Sequence, residues 1–259
     1  MAPMGVACAW LCCSRPSTQH KPLVGLCENL TITLPCTMSD LVPTPAQAVT
    51  DSKTEAPARK RPKPGERRVQ ILQALAAMLE QPGAERVTTA ALAARLDVSE
   101  AALYRHFASK AQMFEGLIEF VEQTVFSLIN QIADREGAAP STEPGAGARQ
   151  VARMVTMLMQ FAEKNPGMTR VMVGDALVFE NERLQQRMNQ FFDKIESTFR
   201  QCLRPDSDAS GSATPTVDAQ VRASALTALV VGRLQRYARS GFKRLPSEHL
   251  DASLALLLG

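Results

Sequence analysis

Residues 88–110 read TTAALAARLDVSEAALYRHFASK, and the fold turns on them. Thr88 or Thr89 can cap a first short helix, because a side-chain oxygen there accepts from an otherwise orphaned backbone N–H. Leu92 and Leu96, four apart, give that helix one apolar side to dock. Asp97 ends it, since Asp tolerates the left-handed backbone of a tight turn better than most residues. Ser99 then caps a second helix, Glu100 adds favourable negative charge to its first turn, and Leu103 and Phe107 point inward. The outer face of that second helix carries Ala101, Ala102, Tyr104 and Arg105. Small side chains let a helix lie close in a major groove, while Tyr and Arg reach base edges and phosphates. Two short helices about three residues apart also make a plain structural hairpin, and the spacing alone leaves both readings standing.

The next residues favour the first reading. Ser109 opens a long apolar helix and puts Lys110 in its first turn, where exposed N–H groups and an ammonium can hold a phosphate. The run YRHFASK, with Tyr104, His106, Phe107 and Lys110, resembles the end of the DNA-binding head of the TetR family of transcriptional regulators. Asp97 stands where many members have Gly, a conservative change for the backbone. Further runs, RRVQILQALAAMLEQ, MFEGLIEFVEQ, NPGMTRVMVGDALVFENERLQQRMNQ and SGFKRLP, are similar to one subgroup, the SlmA nucleoid occlusion factors, over most of 67–259. The expected fold is therefore all-α and TetR-like. A three-helix helix-turn-helix head at 65–112, with its motif at 88–107, precedes a helical dimerisation and partner-binding body at 113–259. The candidate DNA-contacting set is Thr88, Thr89, Ser99, Glu100, Ala101, Ala102, Tyr104, Arg105, His106 and Lys110.

The resemblance also implies partners. It implies a homodimer on double-stranded DNA at dispersed palindromic sites, with higher-order assembly there, and a four-helix interface made by the last two long helices. It further implies binding to the C-terminal tail of the tubulin-like division protein FtsZ, in a groove between the helices at 109–135 and 148–164. For that groove Phe120 is a candidate apolar anchor, with Lys164 and Asn165 supplying a cation and an amide to an acidic, extended peptide. Phe120 as ordinary core and Asn165 as a helix-stop residue remain open alternatives.

Formal net charge is only +3, but it is unevenly spread. Residues 53–110 hold eleven basic and six acidic residues, whereas 1–52 and 111–259 each come to −1. The positive excess coincides with the helix pair and its leader, as an electrostatic footprint on DNA should. Five of the six cysteines lie in the first 36 residues and only Cys202 in the body. A disulfide framework would spread through the folded part, so the body is expected to sit in a reducing compartment. The spacing C-x3-C-C lacks a paired knuckle, and no metal site is expected. Residues 1–64 are expected to form a disordered leader rich in Pro, Ala, Ser and charge, with the native start at Met38. Its basic stretch 53–68 suits either a backbone-tracking arm or a solubilising leader.

Apolar residues at helical spacing predict further helices at 66–81, 168–173, 177–203, 217–240 and 247–258. Pro82-Gly83 and Asn165-Pro166-Gly167 are breaks, and 137–147 and 205–215 read as loops, the second mobile. In the helix from 217, Ala223, Leu226, Leu229, Val230 and Leu234 form a broad face suited to a twin helix or to the chain's own core. The recurring Met154, Met157, Met159, Met168, Met172 and Met188 are expected as core filler. No nucleophile and base, no Gly-rich phosphate loop and no metal-protease run stands out, so no enzyme and no cofactor are expected. No apolar stretch reaches the roughly 20 residues needed to span a bilayer, which makes a cytoplasmic, nucleoid-associated protein the expectation. The main reading is a nucleoid-bound division inhibitor. A ligand-responsive repressor shares its head and would differ by a cavity in the body; a scaffold with a silent head would lack Tyr104, Arg105 and Lys110.

Overall fold

A computed structural model describes residues 65–81, 87–137 and 145–259, so the expected leader and its Met38 start lie outside the described residues. Among the described residues every regular element is helical: α1 (Glu66–Leu79), α2 (Thr89–Arg95), α3 (Glu100–Tyr104), α4 (Lys110–Gly137), α5 (Ala146–Lys164), α6 (Pro166–Met172), a 3-10 turn (Asp175–Leu177), α7 (Glu182–Ala209), α8 (Pro215–Arg239) and α9 (Leu250–Leu258). The all-α expectation holds. Ile71, Leu72, Leu75, Ala76 and Leu79 recur at helical spacing, and α1 buries all of them. With Leu92, Leu103 and Phe107 they form the core of a small head. Helix α4 buries Met113, Phe114, Leu117, Ile118, Val121, Val125 and Ile129 in sequence, and so carries one continuous core from head into body.

The body core lies where α5, α7 and α8 meet. Met154, Leu158, Phe191, Ile195, Phe199, Leu226 and Val230 are all fully buried there. Each such side chain contributes about 1.5–3 kcal/mol by leaving water. Met154, Met159, Met168, Met172 and Met188 are buried and Met157 packs against them, in keeping with core filler. On the α8 face, Ala223, Leu226, Val230 and Leu234 are fully buried within this one chain, and Leu229 is half-buried. The four buried residues pack inward; they do not face a twin.

The stretch 205–215, expected as a mobile loop, is instead helical to Ala209 with Pro205 inside α7. A proline within a helix costs about 3 kcal/mol through its missing N–H and its clash with the preceding turn. Burial on both sides offsets it: Leu203 and Ser207 face the core, and the Ser207 hydroxyl donates to the Leu203 carbonyl at 3.3 Å. The Asp206 carboxylate also accepts the Ala148 N–H at 2.7 Å, capping α5 from a distant helix. At the same junction a Cβ on Gly147 would fall 1.9 Å from the Cys202 carbonyl oxygen. Only glycine lets α5 begin there. Boundaries elsewhere shift by a few residues, most at α7, which starts at Glu182 after a separate 3-10 turn at Asp175–Leu177, while α8 starts at Pro215 because proline suits a first helical position.

Head and body meet tightly at one point. A Cβ on Gly167 would lie 2.1 Å from the Ala76 carbonyl oxygen, so the backbones of α6 and α1 touch. This joint fixes the head's placement on the body.

Candidate DNA interface

The helix pair folds much as its residues dictate. Thr88 has extended backbone, and its hydroxyl oxygen accepts the Ala91 N–H at 3.2 Å, capping α2. The Thr89 hydroxyl donates instead to the Glu100 carboxylate at 2.7 Å and ties the start of α2 to the start of α3. Asp97 takes the left-handed conformation, φ 53°, that the turn requires. Ser99 occupies the N-cap position of α3, but its side chain makes no capping bond, so it fixes the helix start by its extended backbone alone. Leu103 and Phe107 are buried. Ala101, Tyr104, Arg105 and His106 are exposed and Ala102 is half-buried. Tyr104 stands 45% exposed, a large ring left out of a core that had room for its neighbours.

Arg68 completes this end of the head. Its guanidinium lies 4.3 Å from the Phe107 ring centroid and donates to the His106 carbonyl at 3.3 Å. A residue of α1 thus holds the last turn of the reading helix, a role that local spacing gives no sign of.

The N-terminus of α4 is braced by reciprocal caps. The Gln112 N–H donates to the Ser109 hydroxyl at 3.2 Å, while the Gln112 side-chain oxygen accepts the Ala108 N–H at 2.8 Å. This is a close variant of a capping box, and its S-x-x-Q signature was present in the sequence. Lys110 does not project freely from this turn. Its ammonium lies 2.5 Å from a carboxylate oxygen of Glu180, in the connector between the 3-10 turn and α7. Two further ion pairs continue along α4, Glu115 with Arg183 at 2.9 Å and Glu122 with Arg187 at 2.6 Å. Donating to the Glu122 carboxylate raises the Arg187 guanidinium above its ordinary pKa.

The three candidate partner residues do not gather in one groove. Phe120 lines a small recess with Arg68, Val69, Leu72 and Gly116, and so fronts α1. Asn165 is buried, its amide donating to the Phe161 carbonyl at 2.8 Å, and it serves as the stop between α5 and α6. One of its N–H groups is thus committed to its own helix. Lys164 is exposed at the end of α5. The groove that does open between α4 and α5, of about 770 Å³, is closed on its third side by α9. Leu128, Ile132, Ala152, Met157 and Leu254 line it, with Arg135, Arg149 and Arg153 also on its walls. Its cations come from the first turns of α5 and the end of α4, where no motif marked them.

Residues 71–117 match the family described as bacterial regulatory proteins, tetR family, and residues 148–259 match the tetracyclin repressor-like, C-terminal domain of the SlmA-like kind. The chain is 50% identical over 192 residues to the nucleoid occlusion factor SlmA of Vibrio cholerae, covering 74% of this chain and 93% of that one. It is 48% identical to the SlmA of Aliivibrio fischeri over 76% of this chain and 96% of that one. The chain belongs to the SlmA family of nucleoid occlusion factors. Its head is the tetR-family match, spanning α1 to the first turns of α4, and its body is the SlmA-like match, from α5 through α9. Solved structures share the fold at low identity. The Bacillus subtilis regulator FadR, in complex with stearoyl-CoA, gives a TM-score of 0.57 at 14% identity, over 74% of this chain and 97% of that one. Pseudomonas aeruginosa NalD, an efflux-pump repressor, gives 0.55 at 20%, over 74% and 95%. Among the described residues no helix is long and apolar enough to cross a membrane.

Proposed function

We propose that this chain is a nucleoid occlusion factor: a homodimer that binds dispersed palindromic chromosomal sites and, once bound, restrains division-ring assembly by engaging the C-terminal tail of FtsZ. One observation carries the reading. A helix-turn-helix pair holds Ala101, Tyr104, Arg105 and His106 out of the core, in a chain half identical to a nucleoid occlusion factor over 93% of that factor's length. Ala101 and Ala102 allow close approach to the major groove, Tyr104 and Arg105 read base edges and phosphates, and Lys110 holds the backbone.

The dimer surface is assigned to the outer face of α8. Val217 and Val221 are 57% and 62% exposed there. Ala225 and Ala228 continue the stripe at helical spacing, and a Cβ on Gly232 would meet nothing within 4 Å. Small and branched apolar residues on one open face suit a second copy of the same helix. Two heads in one dimer read two half-sites and roughly double the contact. The FtsZ tail is assigned to the α4–α5 groove, whose apolar lining and three arginines complement an acidic, partly apolar peptide. A ligand-responsive repressor fits less well, because the α5–α7–α8 layer is filled by fully buried side chains and the main space among the described residues of the body is the groove that opens beside α4, α5 and α9.

Selection of bound duplexes from a random library tests the DNA part. The expected outcome is a palindrome bound by one dimer, recurring at many places in the source genome. Recovery of a single site beside one operon would favour the repressor.

A further inference from the structure

The contact between Lys110 and Glu180 joins the DNA-facing end of the head to the body. Glu180 is nearly buried, its side chain 10% exposed, whereas Lys110 is 31% exposed. The carboxylate therefore holds the ammonium from the protein side. The same ammonium lies 5.7 Å from the Phe114 ring centroid. A DNA phosphate would seek this cation as Glu180 does, through a charge-assisted hydrogen bond.

We propose that Glu180 is an intramolecular stand-in for the DNA phosphate, so that DNA must displace it from Lys110 and the displacement carries DNA occupancy into the body. This rests on the reading of Lys110 as a phosphate clamp. Glu180 belongs to a short connector that is anchored by buried Ala176 and Leu177 and by the Glu180 N–H donating to the Leu177 carbonyl at 3.0 Å. Gly174 opens it in the left-handed region at φ 82° with nothing within 4 Å of an added Cβ, and Val178 and Phe179 beside Glu180 are each 60% exposed. The connector leads directly into α7 at Glu182, where Arg183 and Arg187 take up the pairs with Glu115 and Glu122. Freeing Glu180 loosens the first rung of a ladder that binds α7 to α4. By linkage, whatever shifts this connector from the body side changes DNA affinity by the same factor as DNA shifts the connector.

The test is a double-mutant cycle in DNA binding, measured with full-length protein and a duplex selected by the wild type. Glu180→Gln keeps the shape and removes the charge. It is expected to tighten DNA roughly two- to fivefold, the scale of a partly exposed ion pair, and to lose that gain in a Lys110→Ala background. Hydrogen exchange of 174–181 is expected to quicken when the duplex is added to wild type and to be quick already in Glu180→Gln. Equal tightening in both backgrounds would overturn the proposal, because it would mean simple repulsion of DNA by a nearby carboxylate. Unchanged or weaker binding by Glu180→Gln, with Lys110→Ala still impaired, would overturn the stand-in and leave the clamp intact. Normal binding by Lys110→Ala would remove the clamp and the proposal together. Glu180→Asp, whose shorter carboxylate reaches less far, gives an intermediate gain and serves if the Gln variant melts early.

Discussion

Lys110 and Asp97 mark how far single residues could be read. Asp97 was legible because its constraint is local: a turn between two short helices needs a left-handed residue, and Asp supplies one at φ 53°. Lys110 was legible as a cation at a helix start, but its partner was not, since Glu180 is seventy positions away and reaches it only through the packing of α6 and α7. The same reason hid Arg68, whose hold on Phe107 and the His106 carbonyl depends on where α1 lies beside the link from α3 to α4. Asn165 shows the converse, a residue whose chemistry suits a ligand but whose amide goes to its own helix. Lys110→Ala should weaken binding to all sequences alike and reduce the slope of log affinity against log salt by about one. Parallel titrations of two unrelated duplexes across salt concentrations check it, and a change confined to one sequence would contradict the phosphate role.

Helices were legible where apolar residues repeat and less so where distant contacts decide their ends. Seven buried positions along α4 announced that helix from sequence. The C-terminal turns of α7 did not announce themselves, because Pro205 and the run of Ser, Gly and Asp argue locally for a loop. What carries the helix past Pro205 is burial of Leu203 and Ser207 and the cap that Asp206 gives α5, and none of these is a local property. The face of α8 is the sharper case. Its aliphatic side was equally suited to a twin or to the core, and three-dimensional packing gave it to the core, leaving Val217, Val221 and Gly232 outside. At this scale the α1–α6 joint yields a test. Gly167→Ala places a Cβ 2.1 Å from the Ala76 carbonyl oxygen, and since backbone must yield, destabilisation of about 1–3 kcal/mol is expected. The head should shift more than the body. Denaturant unfolding and DNA affinity measured on the same preparation check this, with DNA binding falling while the dimer persists. Wild-type stability would mean that α1 and α6 can part without cost.

For the whole molecule, the concentration of positive charge in 53–110 and the division into head and body were readable from composition and motif. The groove proposed for the partner was only half readable: the pair of helices holds it, but α9 and three arginines also line it, while Phe120 and Asn165 do not. Residue spacing could not show this, since α9 comes from the other end of the chain. Dimerisation through α8 gives one prediction at this scale. Val221→Lys puts two like charges at a two-fold contact, so light scattering should report a monomer, and affinity for a palindrome should fall steeply toward that of a half-site. A dimer that survives this change would move the interface elsewhere. The central claim, that a DNA-bound dimer holds the division protein, is met most directly by titrating a labelled FtsZ C-terminal tail peptide with the full-length chain, with and without a selected duplex. The account predicts binding that tightens when the duplex is present and is lost in an Arg149→Glu, Arg153→Glu variant that still binds DNA; no binding of the tail in either condition would contradict it.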